Sequence, residues 1–238
     1  LNMELSTIRT SLGSHSLSEL CLPLDLSEQE LQQMGTIVKG HSVLQPGEHI
    51  YHAGDSGKSI YAVRSGSVKS YIPSGNSDEQ VIGFHLPREL LGFEAFNETP
   101  YASSAVALET SDICEIPFQR LEELCSHIPN LQHQINRLIG REVLNDHILL
   151  LLLGKKSSDV RLANLLLSIS QRMRNRGYSA TDINLSMSRR DMANYLGLAE
   201  ETVSRLFTQF QSQGILSVER KHVKLLDLAA LEHIADSS

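Results

Sequence analysis

The sequence has no long apolar run. The longest, Ile148 to Leu153, covers six residues, against the roughly 20 that a bilayer span requires. Leu1 to Leu24 carries polar residues at every second or third position and no apolar block, so it does not read as a secretory signal. Cysteine is scarce: Cys21, Cys114 and Cys125 are too few and too scattered for a disulfide framework, and no Cys-x-x-Cys pair is present to build a zinc ribbon. A reducing, cytoplasmic compartment is therefore expected. Nucleophile-elbow, P-loop and dinucleotide fingerprints are also missing, so no enzyme is expected. What is there is ordinary for a globular chain: 238 residues, 41% apolar and 21% charged, enough for one to two domains and too apolar for a disordered chain.

The net charge of -7 conceals an asymmetry. Residues 1–154 carry 9 basic and 19 acidic groups, a net of -10, and residues 155–238 carry 12 and 9, a net of +3. An acidic body with a basic end piece is the pattern expected when one module touches phosphate and the other does something else. Chance variation over a short segment would give the same numbers.

Hydrophobic patterning divides the chain into three expected parts: 1–128, 129–154 and 155–238. From Val43 to Pro117 short apolar runs such as Ile60-Tyr-Ala-Val63 and Val81-Ile-Gly-Phe-His85 alternate with turns such as Gln45-Pro-Gly47 and Pro73-Ser-Gly-Asn76. Many short strands at this spacing read as a sandwich or barrel. Ser27 caps a short helix before them, through about Val38, and Phe118–His127 reads as a helix after them. Pro129 then opens a long helix to about Gly154. One heptad seam holds Gln132, Asn136, Ile139, Val143, Asp146, Leu150 and Leu153, and a neighbouring one holds Leu131, Ile135, Leu138, Leu149 and Leu152. Two adjacent stripes mean two covered sides, one on the β domain and one on a second chain, with Ile139, Val143, Asp146 and Leu150 as the dimer contacts. Burial wholly within one chain is the alternative. After the polar joint Lys155–Ser158 come a helix to about Arg176, a strand near 183–187, two short helices, Arg189–Leu196 and Glu200–Gln213, and a closing hairpin.

The two short helices carry the chemistry. Ala193 provides the small residue that a close helix crossing needs, Gly197 suits a left-handed turn, and Leu198, Val203 and Leu206 face inward. Glu201, Thr202, Ser204, Arg205 and Thr208 are left outward, the spacing of a helix-turn-helix whose second helix enters the major groove of double-stranded DNA. Ser188 and Arg189, opening the first helix, complete the set of expected DNA contacts. The hairpin behind it makes the module winged.

Almost the whole chain resembles the CRP/FNR family of bacterial transcription regulators, most closely its FNR branch. The likeness rests on Tyr61-Ala-Val-Arg-Ser-Gly66, Asp78-Glu-Gln80, Gly83-Phe-His-Leu86, Ala107-Leu-Glu-Thr110, Cys114-Glu-Ile-Pro117, Asn194-Tyr-Leu-Gly-Leu198 and Glu201-Thr-Val-Ser-Arg205. It implies an α+β fold: an amino-terminal cyclic-nucleotide-binding-like β-roll (a jelly roll), a long dimerisation helix and a winged helix-turn-helix. It further implies a homodimer on a twofold-symmetric operator with TTGAT-like half-sites, Arg205 donating two bonds to a guanine and Glu201 accepting from a cytosine. RNA polymerase would meet the loop Ser74–Asp78, which taken alone is a solvated turn.

The resemblance is weaker at the effector. The CRP-type grip on a cyclic-nucleotide phosphate uses a Gly-Glu and an Arg-Ser pair; here Phe93 follows Gly92 and Ala102 precedes Ser103, so cyclic AMP is not expected. Of the four cysteines that hold an iron–sulfur cluster in FNR, Cys21 and Cys114 stand at two places and Leu12 and His15 at the others. Leucine cannot ligate iron, so no four-thiolate cluster and no cofactor are expected. Cys21 and Cys114 remain open to three fates: inert packing, a reversible disulfide that senses oxidants, or a metal or cluster site completed by His15 or by cysteines trimmed from the start of this sequence. Cys125 reads as a buried helix cysteine. His49-x-x-His52 is similar to a cupin metal motif, but odd spacing on a strand points the rings to opposite faces. The competing readings are a small-molecule or redox-sensing β-roll with secondary DNA contacts, and a cupin-like metalloenzyme.

Overall fold

The computed structural model describes residues 27–75, 78–97 and 99–237. Helix α1 (Glu28–Ile37) starts at the capping box formed by Ser27 and Glu30. Eight strands follow: β1 (Gly40–Leu44), β2 (His49–Tyr51), β3 (Ser59–Ser65), β4 (Val68–Pro73), β5 (Glu79–His85), β6 (Leu90–Leu91), β7 (Ser104–Ala107) and β8 (Ser111–Pro117). They pair antiparallel into two four-stranded sheets, β1-β8-β3-β6 and β2-β7-β4-β5. Their inward side chains, among them Ile60, Val63, Val68, Leu91 and Ile116, form one core. This is the expected β-roll.

Helix α2 (Phe118–His127) leads into α3 (Pro129–Lys155), which Pro129 opens. The two stripes of α3 separate along its length. Leu131 and Ile135 are buried in the β-roll core, with Leu138 and Ile139 packed against it. Farther on, Val143, Leu144, Ile148, Leu150 and Leu151 are 45–67% exposed, and Asp146 is exposed among them. The second half of the helix is an apolar rod that the described residues leave uncovered.

The carboxy-terminal lobe contains α4 (Ser158–Arg174), β9 (Asp182–Asn184), α5 (Arg189–Leu196), α6 (Glu200–Ser212), β10 (Leu216–Glu219), β11 (His222–Leu225) and α7 (Leu228–Ala235). The sheet runs β10-β11-β9. Three details depart from the pattern reading. The helix after the joint ends at Arg174 instead of Arg176, the β9 strand is shorter, and α7 was unforeseen. Asp227 caps α7 by accepting from Ala230 N, and Leu231 is fully buried; one short helix with a single buried anchor leaves little periodicity to read.

The two lobes share a core. Val81, Phe84 and Leu86, from β5 and the turn after it, pack with Leu166, Ile169, Met192 and Phe210 of the carboxy-terminal lobe. β5 is a sheet edge, and Asn194 of α5 binds that edge as another strand would. Its Oδ1 accepts from Val81 N at 2.6 Å and its Nδ2 donates to the Glu79 carbonyl at 2.7 Å. Lys69 Nζ bridges Glu79 (2.7 Å) and Asp191 (2.9 Å), and Ser67 and Ser186 hydroxyls meet at 2.5 Å. Glu89 receives Arg172 and Arg176 of the other lobe, each at 2.5 Å. Burial pushes the Glu89 carboxyl up, but the two guanidinium groups outweigh it and hold it below the usual range.

His85 lies inside this joint, its Nε2 2.9 Å from Ser70 Oγ. Burial lowers its pKa to about 4, well under the unfolded value of about 6.5. The unfolded chain therefore binds a proton between these values that the native chain refuses, and stability is complete above pH 6.5 and lost as pH falls toward 4. Between pH 7 and pH 5 the His85 share of that loss is about 2 kcal/mol. Urea titrations at both pH values should show it, and His85→Gln should flatten the dependence over that window; an equal slope in both proteins would place the titration elsewhere.

Candidate nucleic-acid interface

Helix α5 opens with a capping box in which Ser188 Oγ accepts from Asp191 N and the Asp191 carboxylate binds the Ser188 N–H and hydroxyl. It closes at Gly197, whose left-handed φ of 61° turns the chain into α6. A side chain there would strain the backbone, and its Cβ would sit 3.4 Å from Leu153 Cδ2. On α6, Val203, Leu206, Phe207 and Phe210 are buried, so the helix can present only its opposite face. Glu201, Ser204, Arg205 and Thr208 are exposed on it and Thr202 is partly so. Glu201 of this set and the neighbouring Glu200 occupy the first turn of the helix, where the helix dipole favours anions.

The expected contacts are therefore not equivalent. Glu201, Ser204 and Arg205 stand together on one open face. The Ser188 hydroxyl is engaged in the cap. Arg189 is drawn inward: its guanidinium carbon lies 3.2 Å from the Phe207 ring centroid and Nη1 is 3.9 Å from Met192 Sδ. Burial without a carboxylate partner pulls its pKa down to about 10, so it stays cationic at neutral pH. The wing turns at Arg220, a non-glycine residue at φ 57°, with Lys221 beside it. These cations line a cleft of about 460 Å³ between the lobes together with Lys69 and Ser186.

The patterning did not single out Lys69, Asp191, Asn194 or Arg161. Asn194 stands out in the sequence only as part of the Asn194–Leu198 motif, although an asparagine inside a helix is itself a signal, because its side chain competes for backbone groups. Arg161 donates to three carbonyls, those of Leu153, Lys156 and Leu196.

The β-roll departs from the expectations at one place. His49 and His52 do not point apart: their rings stack with centroids 4.2 Å apart. Strand β2 ends at Tyr51, and its register shifts between His49 and Tyr51, so simple alternation does not extend to His52. His49 Nε2 meets Tyr71 Oη at 2.8 Å and His52 Nδ1 lies 3.7 Å from Asp55. Among the described residues no group of three or more His, Cys, Asp or Glu is placed to hold a metal. Near Gly92, the rings of Tyr51 and Tyr101 stack at 4.0 Å with Tyr61 at 5.5 Å from Tyr51, and Ser103 Oγ donates to Glu94 at 2.5 Å. Cys114 is buried on β8, in register with His41 of β1 and Ala62 of β3. Cys125 is buried on α2. Leu12, His15 and Cys21, and Asn76 and Ser77 of the loop 74–78, lie outside the described residues. No helix of the described residues is long and apolar enough to cross a membrane.

Comparison with known proteins agrees with this architecture. The cyclic nucleotide-binding domain matches residues 42–127 and the Crp-like helix-turn-helix domain residues 160–234. The transcriptional activator protein Anr of Pseudomonas aeruginosa is 47% identical over 212 residues, 89% of this chain and 87% of that protein. The fumarate and nitrate reduction regulatory protein of Escherichia coli is 43% identical over 220 residues, 92% and 88% of the two chains. The structure of FixK2 from Bradyrhizobium japonicum superposes with a TM-score of 0.77 at 27% identity, covering 84% of this chain and 98% of that one. With a β-roll, a long helix and a winged helix-turn-helix in this order, and relatives of this closeness along most of its length, the chain belongs to the FNR branch of the CRP/FNR family of transcription regulators.

Proposed function

We propose that this regulator acts in the cytoplasm as a homodimer on twofold-symmetric operators with TTGAT-like half-sites, and is not an enzyme. The observation that carries the reading is the open face of α6, where Glu201, Ser204 and Arg205 stand clear while the opposite face is buried. A planar guanidinium donates twice to a guanine edge, a carboxylate accepts from a cytosine amine, and a hydroxyl serves either neighbour. Dimerisation is supported by the uncovered apolar half of α3, where Val143, Asp146 and Leu150 would face the second copy, while Ile139 packs against the β-roll and would meet the second copy only with its remaining surface. Arg189 and the wing cations would steady the phosphate backbone. RNA polymerase contact through the loop 74–78 belongs to the same proposal.

The chemistry of the donor set bears on the signal. In sequence Leu12 and His15 take two of the four ligand places and Cys21 and Cys114 the other two, so these four residues do not fit a four-thiolate cluster. Glu94 and the tyrosine stack offer a cyclic-nucleotide phosphate no cation. We infer that neither is used in its usual form. A Cys21–Cys114 disulfide is the thiol-based input consistent with the sequence, and thiol titration beside DNA binding decides it.

Gel shifts with a TTGAT-N4-ATCAA duplex test the function directly. Arg205→Ala should weaken that complex by about 1–3 kcal/mol while binding to random duplex barely changes; equal losses on both would assign Arg205 to phosphate. For the dimer, Asp146 is exposed on the seam, and burial against the rod raises its carboxyl pKa, with His147 opposing. Its approach to its own twin places like charges together. Asp146→Ala should tighten the dimer at neutral pH and low salt, read by sedimentation across a concentration series, and an unchanged profile would turn that side chain to solvent.

A further inference from the structure

A dimer that reads two half-sites at once must also read the distance between them. Moving one half-site by a base pair shifts it about 3.4 Å along the duplex and turns it by about 34°, since one turn takes 10–10.5 base pairs over 34–36 Å. Whether the protein tolerates this depends on the stiffness of the joint between the dimer rod and the recognition helix.

One side chain, Arg161, ties both sides of that joint together. The second half of α3 leaves the β-roll and is largely exposed, so the rod has to grip the carboxy-terminal lobe near its end. Carbonyls in the last turn of a helix have no intrahelical partner. Arg161, on the first turn of α4, supplies partners to two such carbonyls and to a third in the link after α3. Its Nη2 donates to Leu153 O in the last turn of α3 at 2.9 Å, its Nε to Lys156 O in the connecting link at 2.9 Å, and its Nη1 to Leu196 O at the end of α5 at 3.0 Å. Leu196 directly precedes Gly197, the turn that aims α6. A planar fork bonded at three points fixes orientation as well as distance, and its charge is favourable at two helix carboxyl ends.

We propose that Arg161 is a positioning residue that sets the half-site spacing this protein accepts, by locking the angle between the dimer rod and the recognition helix. The proposal rests on the twofold dimer argued above. Arg161 touches no base, so its effect appears in spacing and not in half-site sequence.

Duplexes with TTGAT and ATCAA separated by three, four or five base pairs test it with the full-length protein. The wild type should favour one spacer by about tenfold or more, the weight of at least one bidentate base contact. Arg161→Gln should cut that preference to about twofold to threefold, because a loosened joint lets both helices follow a displaced site. Its loss from a guanine substitution within the half-site, and its dimerisation, should match the wild type. General destabilisation would weaken all duplexes together and leave the preference intact. Should Arg161→Gln fail to fold, Arg161→Lys, which keeps the charge but not the fork, should relax the preference in the same direction. A folded variant with the wild-type preference overturns the proposal. So does relaxation in Asn194→Ala without relaxation at Arg161, which would assign the aim of α6 to the β5 contact. A wild type that binds all three spacers equally overturns both this proposal and the twofold reading.

Discussion

β5 closes one edge of its sheet, and the backbone groups along that edge need partners wherever water is excluded. In this chain the partner is the first helix of the helix-turn-helix. Asn194 supplies an acceptor and a donor to β5 in the geometry of a neighbouring strand, and Val81 and Phe84 sink into the core of the other lobe. Once that edge is covered in this way, the remaining polar groups of the joint have to be neutralised. Lys69 lies between Glu79 and Asp191, and Glu89 between Arg172 and Arg176, for this reason. A buried charge without such partners would be far more costly than the pair.

The same cover explains how one protein keeps an acidic body beside a basic reader. Two acidic groups of the β-roll are neutralised at the joint, Glu79 by Lys69 of the same lobe and Glu89 by Arg172 and Arg176 of the carboxy-terminal lobe. Arg205, Arg220 and Lys221 are left on open surface. The recognition face belongs to the segment 155–238, whose net charge is +3, and not to the segment 1–154, whose net charge is -10.

Features set by local spacing were legible in the sequence. The Ser27 cap, the Pro129 start, the Gly197 turn and the inward set Val203 and Leu206 all follow from residues within a few positions of each other, and the helix-turn-helix was placed by them. The division of α3 into a covered half and an uncovered half was visible only as two stripes, because periodicity states which residues share a face and not how far the neighbour extends. The His49–His52 stack was misread, since a two-residue alternation holds only while the strand continues, and β2 ends at Tyr51. Lys69–Asp191 and Glu89–Arg172 join residues 122 and 83 positions apart. Pairings at such separation leave no periodic trace in a single sequence.

The tyrosine stack gives the protein an optical handle on one lobe. The chain contains no tryptophan and six tyrosines, so its near-ultraviolet signal is a tyrosine signal. Three of those rings, Tyr51, Tyr61 and Tyr101, lie face to face or nearly so inside the β-roll, where coupled transitions give strong circular dichroism. The carboxy-terminal lobe has Tyr195, half-buried, and Tyr178, exposed. A change in the near-ultraviolet spectrum therefore reports chiefly on the β-roll interior, while far-ultraviolet ellipticity, dominated by the long helix and the carboxy-terminal helices, reports on the rest of the chain.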